Sequence, residues 1–353
     1  MKHLVDTLRD SHHLDDEGYE ALLTSNDAEL LEHLRQEAQN VATNVFGHGI
    51  FVRGLIELTN VCRNDCLYCG IRRGNAALPR YILTHEQVMQ SCQAGYGLGF
   101  RTFVLQGGEL PREKATWIAR LVADIRASWS DCAITLSLGE WTREDYTLFR
   151  KAGADRYLLR HESHNPAHYA MLHPSDMSLD NRLQCLHDLQ ALGFQTGTGI
   201  MVGSPHQTIA HIVEDIRFIE HFKPQMIGIG PFVPHHDTPL GQFPAGSIDL
   251  TTRLYSIFRL MFPNALIPST TALNTLHPEG RVMGILAGAN VVMPNLTPIS
   301  ARENYALYDG KSATDPVEGI QQLESQLNPI GYHIDWGRGD YNTQVSVCPK
   351  LEE

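Results

Sequence analysis

The sequence predicts an α/β fold: a closed (β/α)8 barrel of the TIM type, built of parallel strands, with a helical cap before it and an extension after it. Three observations carry that prediction. From Phe51 onward, short β-branched or apolar runs alternate with longer amphipathic segments, the pattern of βα units feeding a parallel sheet. The alternation repeats eight times, and positions 51–297 span about the 250 residues an eightfold barrel occupies. A chain of 353 residues, 42% of them hydrophobic, can bury a core of that size. An open, doubly wound sheet is the alternative arrangement of the same units.

Residues 1–48 read as the cap. Leu8, Leu14, Leu22, Leu23, Leu30, Leu31 and Leu34 recur among acidic and amide residues, and Ser25-Asn26-Asp27 is a helix-start signal. The barrel is assigned to 49–300, with strands expected at 52–58, 102–106, 133–138, 156–159, 196–202, 226–229, 264–268 and 290–293. Helices are expected between them at 84–98, 113–128, 143–152, 179–192, 209–222 and 250–262, each bounded by Gly, Pro or Ser/Thr. Residues 301–353 form the extension, which is expected to close one end of the barrel.

Composition removes several functions. Lys plus Arg total 28 against 40 Asp plus Glu, a formal charge of −12, the reverse of the basic footprint of a nucleic-acid binder. No apolar run approaches the roughly 20 residues of a membrane-spanning helix; the stretch 255–267 is broken by Arg259 and Pro263. No signal peptide is legible, so the expected compartment is the cytoplasm, where cysteines stay reduced.

The chemistry is concentrated in Cys62-Arg63-Asn64-Asp65-Cys66-Leu67-Tyr68-Cys69, a C-x3-C-x2-C run directly after the first strand. Three thiolates at one point suit an iron-sulfur cluster with one iron left open for a ligand, since a 4Fe-4S cube normally takes four. Zinc is the competing metal, although no second ligand pair follows at a usual distance. In a barrel the reactive groups stand at the C-terminal ends of the strands, and the loop has that position. After the second strand comes Gln106-Gly107-Gly108-Glu109, where glycines let a backbone approach a ligand closely. Thr135 and Ser137 share one face of the third strand. Arg156, Arg160 and Glu162 on the fourth point to a charged ligand, or else to a structural ion pair. Gly197, Gly199 and Gly203 on the fifth imply close approach by a flat ligand. Ser269-Thr270-Thr271 after the seventh can bind an anion or cap a helix. His235-His236-Asp237 lacks the spacing of a metal site, and Cys92, Cys132 and Cys185 read as buried structural thiols.

The C-x3-C-x2-C loop and the GGE turn after the second strand resemble the signature of the radical S-adenosylmethionine (SAM) enzymes. Within that superfamily the chain looks like the HydE group of FeFe-hydrogenase maturases, through Glu57-Leu58-Thr59-Asn60-Val61-Cys62, Val104-Leu105-Gln106-Gly107-Gly108-Glu109, Thr135 to Trp141, Ala154 to Glu162, Gly228 to Phe232 and Val292 to Asn295. The resemblance covers about residues 10–310 and implies that Cys62, Cys66 and Cys69 hold one 4Fe-4S cluster. It implies that SAM binds its open iron and is cleaved by one electron from a reducing donor to a 5'-deoxyadenosyl radical. Gln106, Gly107, Gly108, Glu109, Thr135, Ser137, Arg160, Glu162, Arg182, Met293 and Tyr305 would contact SAM, and Arg156, Thr270 and Thr271 would line a deeper substrate or anion site. The implied substrate is a small organometallic one, a cysteine-bound iron carbonyl cyanide complex from a partner hydrogenase maturase, attacked at sulfur. Some members carry further cysteines for a second cluster; here 305–327 has none and Cys348 stands alone. A methylornithine- or biotin-synthase-like enzyme, and a non-catalytic iron-sulfur scaffold, are the alternatives.

Overall fold

A computed structural model describes residues 2–310 and 315–342, so Cys348 lies outside the described residues. Helices α1 (Lys2–Ser11), α2 (Asp16–Thr24) and α3 (Ala28–Phe46) precede the sheet. Asp27 starts α3 by accepting the N–H groups of Glu29 and Leu30, so the helix-start signal read from the sequence acts at its last residue.

The strands are β1 (Gly49–Val52), β2 (Gly54–Thr59), β3 (Thr102–Gly107), β4 (Ala133–Ser137), β5 (Arg156–Leu158), β6 (Gln195–Thr198), β7 (Met201–Val202), β8 (Met226–Ile227), β9 (Gly230–Pro231), β10 (Val291–Val292) and β11 (His333–Asp335). Between them run α4 (His85–Gly97), α5 (Ala115–Ser128), α6 (Arg143–Ala152), α7 (Pro166–Leu172), α8 (Leu179–Ala191), α9 (Ile209–Phe222), α10 (Ile248–Met261), α11 (Thr271–Leu276), α12 (Gly280–Leu286), α13 (Ile299–Arg302) and α14 (Pro316–Leu327). Strands β2-β3-β4-β5-β6-β8 form one parallel ladder. Single parallel bridges continue it: Met226 to Leu266, Pro268 to Val291 and Asn295 back to Leu55. The circle of eight positions is therefore joined all the way round. The expected seventh strand survives only as the bridges at Leu266 and Pro268.

Two expected strands are each divided. The fifth breaks into β6 and β7, and the sixth into β8 and β9, with β7 pairing β9. The cause is a backbone contact: a Cβ at Gly199 would lie 2.0 Å from the Gly228 carbonyl oxygen. Gly203 turns the chain with φ +70. The glycines of this segment thus admit a neighbouring strand and a turn, which corrects the expectation that they admit a flat ligand.

Phe103, Leu105, Ile134 and Leu136 are buried toward the helices, each stabilising the fold by about 1.5–3 kcal/mol. The C-terminal extension works at both ends. β11 pairs with β1, and Arg338, Gly339 and Asp340 sit beneath the N-terminal strand ends, while 315–323 of α14 and its start reach the cavity at the other end.

Candidate functional site

At the C-terminal ends of the strands lies a cavity of about 430 Å³. Cys62, Cys66 and Cys69 line one side, with Gln106, Gly107, Gly108, Glu109, Ser137, Arg160, Glu162 and Arg182 beside them and Met293, Tyr305, Thr270 and Thr271 across from them.

The cysteine loop is fixed from two directions. Glu109 is buried, and its carboxylate accepts from Arg63 Nε (2.6 Å), Asn64 Nδ2 (3.0 Å) and the Glu140 N–H (2.7 Å). Arg80 donates to four loop carbonyls, those of Asn60, Ile71, Arg72 and Asn75. The turn after β3 packs directly against the loop: a Cβ at Gly108 would meet the Val61 oxygen at 2.3 Å and Cys62 Cβ at 2.8 Å. The Gly108 N–H goes to Thr59 O, and that of Glu109 to Cys62 Sγ at 3.4 Å. Gly108 thus brings backbone against backbone, and Glu109 braces the loop.

The three cysteines form no disulfide. Burial pushes all three thiols up, Cys69 to about 12, and neighbouring thiolates add to the rise for Cys66 and Cys69. A cationic centre that ligates them reverses this preference, since bound metal deprotonates a thiol. Among the described residues, the only three ligand atoms of His, Cys, Asp or Glu within 4.8 Å of one another belong to His235, His236 and Asp309. The three cysteine sulfurs do not all come within that distance of one another. Three free cysteine thiols lining one cavity are the donor set of a thiolate-held iron-sulfur cluster, and the residues present fit one.

His235, His236 and Asp309 are engaged with one another. The Asp237 N–H donates to His235 Nδ1 (3.1 Å), which leaves the proton on Nε2, and His236 Nδ1 pairs with Asp309 at 2.8 Å. The third ligand that the sequence reading found missing beside the two histidines is supplied in the fold by Asp309, and in this tautomer His235 would have to give up its Nε2 proton to ligate through that atom.

Beside the loop, Arg160 Nη2 donates to Glu162 at 2.8 Å, while Arg160 Nε has no partner among the described residues. Arg182, buried on α8, pairs through Nε with Glu140 (2.5 Å) and gives Nη1 to the Arg160 carbonyl (2.8 Å). Gln106 donates to the Tyr305 hydroxyl at 3.2 Å. Thr271 Oγ1 and the Tyr308 hydroxyl are 2.7 Å apart, and Thr270 Oγ1 is shielded without a partner among the described residues.

Two expected site residues lie elsewhere. Arg156, fully buried, is at the start of β5, four residues before Arg160 and thus about 13 Å lower along the strand. Its Nη2 donates to Arg338 O (2.9 Å), Gly339 O (3.0 Å) and Asp340 Oδ1 (2.6 Å), and it also meets Thr102 and Gln195. Arg156 bolts the floor of the barrel to the extension; the structural ion pair is the correct reading. Thr135 shares Ser137's face but sits two residues below it, outside the cavity lining. Sequence reasoning placed Asn295 where it could cover a nucleoside and Glu140 at the end of the third strand without giving it a role, and missed Glu57 and Arg80. Of these, Glu57 was discoverable, since it alternates with Leu55 and Thr59 on one face of β2.

Cys92, Cys132 and Cys185 are buried in α4, before β4 and in α8. Burial raises each thiol, Cys132 and Cys185 to about 11, as expected of inert structural cysteines.

Barrel, cysteine loop and cavity together define a radical SAM enzyme, and the family model of the radical SAM superfamily matches residues 56–219. The "[FeFe] hydrogenase maturase subunit HydE" of Thermotoga maritima is 44% identical over 289 residues, 82% of each chain. This chain belongs to the HydE family. A 3-methylornithine synthase of Methanosarcina barkeri is 28% identical over 310 residues, 87% of this chain and 86% of its own. The crystal structure of methylornithine synthase (PylB) superposes with a TM-score of 0.84 at 27% identity, covering 94% of this chain and 97% of that one. No helix among the described residues is long and apolar enough to cross a membrane.

Proposed function

We propose that this radical SAM enzyme serves FeFe-hydrogenase maturation, acting at the sulfur of a cysteine-bound iron carbonyl cyanide complex handed over by a partner maturase. The 44% identity to a HydE over 82% of both chains carries the reading. When bound, one 4Fe-4S cluster and SAM supply a one-electron reductive cleavage that yields a carbon-centred radical, with the electron coming from an external donor.

The chain's own residues do the rest. Cys62, Cys66 and Cys69 hold the cluster. Arg160 and Glu162, opposite charges 2.8 Å apart on one wall, would hold the polar groups of SAM, and Arg182 orients Arg160 through its carbonyl. Met293 and Tyr305, which line the same cavity, would cover its nucleoside. The Thr270 and Thr271 hydroxyls and Tyr308 offer hydrogen bonds to the anionic ligands of the substrate. Enclosure matters because a primary carbon radical attacks most neighbouring C–H bonds, so the walls must leave it a single reachable partner.

The test is anaerobic reconstitution and reduction, then addition of SAM and the iron complex. Expected are 5'-deoxyadenosine and consumption of the complex. Perturbed cluster spectra with no cleavage would favour a scaffold. The likeness to methylornithine synthase supports a second reading, and 3-methylornithine formed from free amino acids would establish it.

A further inference from the structure

Among the described residues, Glu162 is one of four non-glycine residues with positive φ, and the only one of them lining the cavity. Its φ is +65, and the Ser163 N–H closes back onto the His161 carbonyl at 2.8 Å. Such a three-residue turn in the left-handed region is rare and strained, and strain of this kind persists only where the surroundings over-determine it. The Glu162 N–H is tied to Gly199 O at 3.1 Å, with a bridge to Ile200.

Behind the turn, turned away from the cavity, lie two further ionisable groups that the chemistry above does not use. His161 is fully buried; its Nδ1 meets Thr198 Oγ1 at 2.9 Å and its Nε2 stands 3.3 Å from Asp215 Oδ1. Asp215, equally buried on α9, also accepts the His164 N–H at 2.5 Å. The carboxyl thus holds the backbone just after Glu162 through a hydrogen bond, and lies against the His161 ring just before it without a hydrogen bond to Nε2. Phe218, one turn further along α9, packs on the rings of His161 (4.7 Å) and His164 (4.8 Å).

We infer that His161 and Asp215 are positioning residues, which lock the strained turn so that the Glu162 carboxylate points into the SAM cavity beside Arg160. A buried aspartate facing a histidine is a costly way to fill a core, and two apolar residues would serve packing alone. What the pair adds is a fixed backbone at a residue facing the ligand. The inference rests on the proposed function, since it needs SAM in the cavity.

The experiment compares SAM binding by equilibrium dialysis, cluster iron content and thermal melting in the reconstituted protein with those of three variants. Asp215→Ala removes the grip; it should retain iron and melt cooperatively but bind SAM at least about tenfold more weakly, with KM rising and kcat at saturation nearly unchanged. Asp215→Asn keeps the Oδ1 acceptor and should stay within about twofold of the parent. Glu162→Gln should weaken SAM binding alone, and adding Asp215→Ala to it should bring little further loss, because both act through one group. Unchanged affinity in folded Asp215→Ala, additive losses, or equal damage from Asn and Ala would overturn the inference while leaving the function standing. If Asp215→Ala does not fold, His161→Phe keeps the ring against Phe218, drops both nitrogens and reads out the same way. A parent that ignores SAM would defeat the proposed function and this inference with it.

Discussion

The reassignment of Arg156 from cavity to floor can be tested through Asp340. The variant Asp340→Ala deletes the 2.6 Å bond to Arg156 Nη2 and the 2.8 Å bond from Arg338 Nε. A hydrogen bond to a charged group contributes about 1.5–3 kcal/mol, but Asp340 keeps 39% of its side chain in water, so screening places the loss near the lower end, about 1.5–2 kcal/mol. Arg156 itself retains the Arg338 and Gly339 carbonyls, Thr102 and Gln195, which prevents the larger loss of an abandoned buried charge. For a chain of 353 residues the melting point should fall by roughly 2–3 °C. The pH dependence has a definite sign. Burial raises the Asp340 carboxyl, but hydrogen bonds from Arg338 and Arg156 outweigh it and leave the group below the ordinary value. Its stabilisation is therefore complete above the unfolded value of about 3.9 and is lost as pH falls through the lower folded one. Melting measured from pH 7 down to about 3 should show a gap between parent and variant that narrows in acid. SAM affinity should not move. An unchanged melting point, or a stable variant that has lost SAM or substrate binding, would refute the placement of Arg156.

Cys66→Ser should lower bound iron sharply and abolish 5'-deoxyadenosine formation; full activity would remove the cluster assignment. Gly108→Ala forces a Cβ to within 2.3 Å of the Val61 oxygen and should reduce iron content in a protein that still folds, as read by iron analysis beside circular dichroism. Arg160→Ala removes the wall cation and should weaken SAM binding about tenfold or more, roughly 1.4 kcal/mol, in equilibrium dialysis.

Legibility in the sequence followed the range of the interaction. The cysteine loop is local, and three sulfurs within eight residues declare themselves. So do the capping residues, such as Thr84 with Gln87 and Thr142 with Asp145, because a cap is satisfied within four residues. Arg156 was misplaced because its partners, Arg338 to Asp340, arrive from more than 180 positions away, and a strand arginine looks the same whether its acceptors are a ligand or a tail. The Gly199 to Gly228 contact has the same origin: only adjacency of two strands explains it. The roles of Glu140 and Arg80 stayed hidden because each acts on another residue, a relation with no spacing rule.

Among the described residues, the barrel is shut underneath by Arg156 and the 338–340 segment, and its cavity lies at the other end, bordered by α14 and Tyr308. Traffic through it is like that of a blind alley. Along such a path the ligand seated deepest would enter before the one above it, which makes ordered addition and release the outcome to set against random binding.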